Sequence, residues 1–152
     1  MKKIEDEISQ KKFTSIHQKA VVNLIYTSNW LQNKHQEFFK SFGITGQQFN
    51  ILRILKGQFP KSISGTEIKS RMLDRNSDVS RLLDRLASKN LITKQTCPND
   101  KRASDVMITD EGIALLKEIS KSQKQDHVLS LTDDEAETLS DLLDKARSGI
   151  RN

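Results

Sequence analysis

The chain has 152 residues, enough for one domain with a buried core, and 30% of them are charged. Its net charge of +5 is unevenly distributed, since residues 1–63 carry +6 and residues 64–102 carry +4, whereas residues 103–152 carry −5. The lone cysteine, Cys97, excludes an internal disulfide and predicts a cytoplasmic protein, and no apolar run is long enough for a membrane span.

The first part of the chain is predicted to form one long helix. Apolar residues recur at three- and four-residue steps from Phe13 to Phe38, and no Gly or Pro interrupts them before Gly43. Two further helices are predicted after this stop, because Thr45 with Gln48 and Ser64 with Glu67 have the spacing of capping boxes.

A fourth helix and a hairpin are predicted next. Asn76 is placed to cap the helix, and Asn90 stands where a left-handed terminal residue is expected. The apolar stripe of this helix comprises Val79, Leu82, Leu83 and Leu86. Residues 91–96 and 103–108 are predicted as two strands around a Pro-Asn-Asp turn, and Thr109 and Thr132 open two final helices. The order predicts a mainly α fold with a winged helix-turn-helix.

The fourth helix is the predicted contact with double-stranded DNA. Because its apolar stripe must face the core, the residues left for the opposite face are Arg75, Ser77, Asp78, Arg81 and Arg85. The N-terminal half of such a helix meets bases, so Ser77, Asp78, Ser80 and Arg81 are the candidates for reading them. Arg85 is expected to contact phosphate or support the wing, and Thr66 and Lys69 on the preceding helix are further phosphate candidates.

The hairpin tip is basic. Lys101 and Arg102 are free to extend from it, and an arginine on a thin loop can enter a narrow A/T-rich minor groove. Asp100 is predicted to orient Arg102 or to pair with Arg85. An alternative is that the helix face is only solvated and stabilised by ion pairs such as Arg81–Asp84. The helix-turn-helix, hairpin and basic tip in this order favour DNA binding.

Three segments resemble the MarR family of bacterial transcription regulators. Residues 78–85 are similar to its recognition helix, 98–102 to its Asp-x-Arg wing signature and 109–112 to the start of its fifth helix. The resemblance covers residues 1–152 and matches Ser80, Arg81 and Arg85 to recognition-helix positions and Arg102 to the wing arginine. Asn90 and Ala103 stand where the family commonly has Gly.

The resemblance implies a homodimer that binds pseudo-palindromic operators and usually represses transcription. Residues 1–43 and 110–152 would form the dimerisation helices, and residues 44–109 the DNA-binding lobe. Two recognition helices about 10 bp apart also make a site long enough to be distinguished in a genome. The apolar residues of the last helix could instead pack on the first helix of the same subunit, and the two arrangements are compatible.

MarR-like proteins often bind small aromatic or phenolic effectors. The resemblance suggests five candidate ligand-binding residues, namely His17, Tyr26, Trp30, Phe49 and Arg53. The alternative, which the residue types favour, is that the aromatic residues belong to the core. Neither a metal nor another cofactor is predicted, and Cys97 is interpreted as an ordinary wing residue, with modification of its thiol as the alternative.

Two other function classes compete with this interpretation. An enzyme is disfavoured because no nucleophile–base set, carboxylate pair, metal-ligand spacing or Gly-rich phosphate loop stands out. A sequence-indifferent architectural DNA binder, or a winged helix that docks proteins, stays open as the alternative to a sequence-specific regulator.

Overall fold

A computed structural model describes residues 1–97, 100–122 and 128–149 of the protein, with the backbone alone for residues 96–97 and 100–104. The elements before the wing are α1 (Ile4–Glu7), α2 (Ile16–Lys40), α3 (Gly46–Gln58), β1 (Ile63–Ser64), α4 (Gly65–Arg71) and α5 (Val79–Ser88). Those that follow are β2 (Ile92–Cys97), β3 (Asp100–Ile108), α6 (Asp110–Ser122) and α7 (Asp133–Ser148). The prediction of a mainly α winged helix-turn-helix fold is confirmed, and α1 and β1 are the elements that it missed.

Local capping sequences fix where several helices begin. Thr45 and Thr132 form complete capping boxes with Gln48 and Glu135, as predicted. Asn90 has a φ of 60°, in the left-handed region predicted for it. These signals are reliable because both partners lie within one turn of the chain.

The predicted cap of α5 is wrong. Asp78, and not Asn76, caps this helix, and its carboxylate accepts a hydrogen bond from the Arg81 backbone N–H at 3.2 Å. The backbone N–H of Asn76 donates instead to Asp74 Oδ1 at 2.9 Å. The turn from α4 is therefore longer than predicted, and α5 begins at Val79.

The wing packs onto the helices through a three-stranded antiparallel sheet in the order β1-β3-β2. Ile63 of β1 pairs with Val106, and Ile92 of β2 pairs with Ile108. Between the sheet and the helices lies a core whose fully buried side chains include Ile51, Leu52, Leu55, Ile68, Leu86, Val106 and Ile108. This core fixes the direction in which α5 presents its polar face.

The start of α6 requires a glycine. A Cβ atom on Gly112 would lie 2.4 Å from the carbonyl oxygen of Leu91 and 2.7 Å from Ile108 Cγ1. The Thr109 hydroxyl accepts a hydrogen bond from the Gly112 backbone N–H at 3.0 Å and donates to the Asn90 carbonyl at 2.7 Å. Helix α6 can therefore begin directly against the end of α5 and the start of β2.

The contacts within the chain define two compact units, Met1–Leu116 and Lys117–Asn152. The first contains the winged helix-turn-helix and α2, and the second contains α7. None of the helices that the structure describes has the length and apolar character needed to cross a bilayer.

Candidate nucleic-acid interface

Helix α5 separates an apolar face from a charged one. Its four apolar stripe residues are no more than 8% exposed. Ser80, Arg81, Asp84 and Arg85 are exposed on the rest of the helix. Within the described part of the chain, neither the Arg81 nor the Arg85 guanidinium pairs with a carboxylate. Both cations are therefore available to an external anion.

Helix α4 and the following turn add further exposed polar groups. Thr66, Lys69 and Arg75 are exposed as predicted, while Ile68 anchors α4 in the core. Asp78 is also exposed, but its carboxylate is engaged as the cap of α5. A role for Asp78 in reading bases stays a prediction.

The prediction that Ser77 lies on the exposed face of α5 is wrong. Ser77 is only 4% exposed, and its hydroxyl donates to the Asp74 carbonyl oxygen at 2.8 Å. The same hydroxyl accepts a hydrogen bond from Gln47 Nε2 at 3.3 Å. Because α5 begins at Val79, Ser77 belongs to the turn, where its small side chain fits inward against α3.

Two residues of α3, which the sequence interpretation missed, hold this turn. Gln47 Nε2 donates to Asp74 Oδ2 at 3.1 Å, and Asn50 Oδ1 accepts from the Leu73 backbone N–H at 2.9 Å. Their spacing of three residues, which places both on one side of a helix, was the available signal. The turn that aims α5 is thus tied to α3 by side-chain hydrogen bonds, and we call Gln47, Asn50, Asp74 and Ser77 the turn clamp.

An ion pair links α5 to the wing. Lys94 Nζ of β2 lies 2.7 Å from Asp84 Oδ1. The Arg81–Asp84 pair expected for a merely solvated face is not formed. The Asp84 carboxylate is therefore directed to the wing and not to Arg81.

The tip of the wing carries the remaining predicted DNA contacts. The backbone of residues 100–104 is part of β3. The side chains of Asp100, Lys101 and Arg102 lie outside the described residues, as does that of Cys97. Their proposed roles stay predictions.

The predicted effector residues are not gathered in one site. Tyr26 and Trp30 line a cavity of about 510 Å³ between the N-terminal residues and α2. Phe49 instead stacks on Phe39 with ring centroids 4.5 Å apart, and Arg53 lies 5.9 Å from the Phe49 ring. His17 is exposed and nine residues before Tyr26, about 13 Å along the helix axis.

Hydrogen bonds between α1 and α2 shape this cavity. The Tyr26 hydroxyl donates to Glu7 Oε2 at 3.0 Å, and this bond to a carboxylate raises the pKa of Tyr26. Lys19 donates to Glu5 and lowers the pKa of that carboxyl.

Among the residues that the structure describes, no cluster of three His, Cys, Asp or Glu side chains could hold a metal ion.

Comparison with known proteins agrees with this geometry. The sequence model of the MarR family matches residues 44–104. A MarR transcription factor from Planctomyces limnophilus is 29% identical, with a TM-score of 0.69, over 90% of this chain and 98% of that one. The part of the chain that carries the winged helix-turn-helix, residues 44–104, matches the MarR family.

Further relatives extend the comparison. The crystal structure of a mutant Escherichia coli MarR complexed with operator DNA is 28% identical and has a TM-score of 0.69 over 95% of this chain and 99% of that one. The transcriptional repressor MdtR of Bacillus subtilis is 33% identical over 94 residues, which are 62% of this chain and 59% of MdtR. The chain spans between about half and three-fifths of the length of the curated relatives it matches.

Proposed function

We propose that this chain is a MarR-family transcriptional regulator that binds specific sequences of double-stranded DNA. The observation that carries the proposal is the outer face of α5, where Arg81 and Arg85 are exposed and unpaired within the described residues. An α-helix fits the major groove, and an arginine there can donate two hydrogen bonds to guanine. The complex of a MarR relative with operator DNA supports the same assignment.

The proposed contacts divide into base reading and phosphate binding. Ser80 and Arg81, in the first turn of α5, would meet base edges, with Asp78 at their border. The proposed phosphate contacts are Thr66, Lys69, Arg75 and Arg85. Phosphate contacts fix the position of the protein on the duplex, and base contacts supply the specificity.

The wing is proposed to reach the minor groove beside the major-groove site. Arg102, with Lys101 next to it, would enter the groove, and Asp100 would orient Arg102 or pair with Arg85. Narrow A/T-rich minor grooves concentrate negative potential. Arg102→Ala should therefore weaken binding mainly where the flanking DNA is A/T-rich, and an equal loss on all flanks would contradict this role.

The functional unit is proposed to be a homodimer. Support comes from apolar side chains that are half or more exposed on α2, where Ile16, Val21, Leu24 and Ile25 are between 50% and 81% exposed. On α7, Leu142 is 58% exposed. Apolar surface of this kind is typical of protein interfaces. A twofold dimer would present two α5 helices to a pseudo-palindromic operator.

Repression, with release by a small aromatic or phenolic effector, completes the proposal. The name of MdtR as a repressor supports the first part. The cavity beside Tyr26 and Trp30 is the place where we would first seek an effector. Titration of aromatic compounds against the DNA complex, with Trp30 fluorescence as a second readout, tests this part.

Selection of operators from a random DNA library by the purified protein tests the main proposal. We expect enrichment of pseudo-palindromes with half-sites about one helical turn apart. Affinity for these sites and for random duplex should then be compared over a salt series. Steep salt dependence without sequence preference would indicate an architectural DNA binder, and absence of DNA binding would leave a protein-docking winged helix.

A further inference from the structure

Both carboxylates spaced to pair with Arg81 are engaged elsewhere. Asp78 and Asp84 each lie three residues from Arg81, a spacing at which oppositely charged side chains pair on a helix. Asp78 accepts from the Arg81 backbone N–H, as the cap of α5. Asp84 accepts from Lys94 Nζ at 2.7 Å. Arg81 thus keeps its guanidinium unpaired within the described residues, although acidic residues flank it.

The Asp84–Lys94 contact joins two elements across the surface. The Asp84 side chain is 71% exposed on α5, whereas the Lys94 side chain, on β2, is 30% exposed. The lysine on the strand is therefore the more buried partner, and the largely exposed aspartate contacts it. Exposed ion pairs contribute little to folding, so stability alone is a weak explanation for this contact.

We propose that Lys94 is a positioning residue for DNA recognition, which holds the Asp84 carboxylate against the wing and so keeps Arg81 free for DNA. This inference rests on the proposed function. Without Lys94, the Asp84 carboxylate can turn to the Arg81 guanidinium. DNA binding would then have to break that new pair, and the free energy of binding would become less favourable.

The test is a set of dissociation constants on an operator selected with the wild-type protein. Lys94→Gln should weaken binding by about two- to fivefold, the range for an exposed ion pair. Asp84→Asn should bind at least as tightly as wild type, and adding Lys94→Gln to it should cost much less than in the wild type. In an Arg81→Ala background, Lys94→Gln should likewise have little effect.

Two matched variants control for charge and contact. Lys94→Arg keeps a cation within reach of Asp84 and should bind as wild type does. Lys2→Gln removes the same charge from a different pair, Lys2 with Glu7 at 3.5 Å, and should leave DNA affinity unchanged. Thermal melting of each variant separates loss of folding from loss of binding.

Three results would overturn the inference. An equal effect of Lys94→Gln with and without Asp84 would show that Lys94 acts on DNA directly. Persistence of the effect in Arg81→Ala would show that Asp84 repels phosphate instead of capturing Arg81. If the wild-type protein enriches no DNA, the proposed function itself fails, and this inference fails with it.

Discussion

Helices α5 and α2 differ in what they leave exposed. Helix α5 buries all four residues of its apolar stripe and exposes arginines. Helix α2 is 25 residues long, yet its single buried residue is Phe39, and several of its apolar side chains are half or more exposed. One surface suits a polyanion and the other an apolar protein face. The comparison thus separates a proposed DNA contact from a proposed subunit contact within one short chain.

The largest predicted effect tests the burial of α5 against the exposure of α2. Leu86 is fully buried. Changing it to Ala should lower the free energy of unfolding by about 2–5 kcal/mol at any protein concentration. Leu24→Ala, at a residue 50% exposed, should cost far less in dilute monomer. Chemical denaturation at two protein concentrations measures both, and equal losses in dilute protein would break the comparison.

The next effect concerns the apolar face of α2. Ile25 is 57% exposed, and Ile25→Glu should weaken a dimer by about 3 kcal/mol, on the order of a hundredfold, because a charge would be buried unpaired. Ile25→Val retains the apolar contact and should dimerise normally. Sedimentation equilibrium gives both dissociation constants. A wild type that is monomeric at all concentrations would remove α2 as a subunit contact.

A smaller effect is expected at the turn clamp, which aims the charged face of α5. Gln47→Ala removes two hydrogen bonds and should cost about 1 kcal/mol of stability, together with part of the DNA affinity. Gln36, exposed on α2, is the matched control and should tolerate Ala. Denaturation and operator binding measure the two losses. Unchanged operator affinity for Gln47→Ala would show that the clamp does not position α5.

The smallest effect is a pH dependence at the N-terminal half of α2. The hydrogen bond from Lys19 lowers the pKa of Glu5. The stabilisation that ionised Glu5 provides is therefore present above its ordinary pKa of 4.5 and is lost as the pH falls through the lowered pKa. The hydrogen-exchange protection factors of residues 4–8, which correct for the intrinsic pH dependence of exchange, should therefore fall in acid. Because Lys19 is the largest cause of the lowered pKa, Lys19→Met should reduce this pH dependence, and an unchanged dependence would assign it to another group.

Short-range signals in the sequence predicted the fold well. The boxes at Thr45 and Thr132 and the left-handed Asn90 depend on neighbours within a few residues, and all three are confirmed. The buried stripe of α5 follows from helical spacing alone. Strand β1 was missed because two residues carry no periodicity, and it pairs with residues more than 40 positions later.

The wrong predictions concern positions whose surroundings depend on residues far away in the sequence. Ser77 was predicted to face outward because the sequence does not show that Gln47, thirty residues earlier, donates a hydrogen bond to it. Asn76 is an ordinary cap candidate. Its backbone N–H instead donates a hydrogen bond to Asp74, and α5 begins at Val79. The effector candidates could be named by residue type, yet their separation depends on packing such as Phe49 against Phe39.

The measurement that tests the central claim most directly is the affinity of Arg81→Ala for a selected operator, compared with that of Arg147→Ala on α7. We predict a loss of about 1–3 kcal/mol for Arg81→Ala, with relaxed preference at one base position in each half-site. Arg147→Ala removes an equal charge from an exposed side chain elsewhere and should bind normally, with its dimerisation checked by sedimentation equilibrium because α7 belongs to the proposed subunit contact. Equal affinities for the two variants, with base preferences unchanged, would contradict the assignment of α5 as the DNA-reading helix.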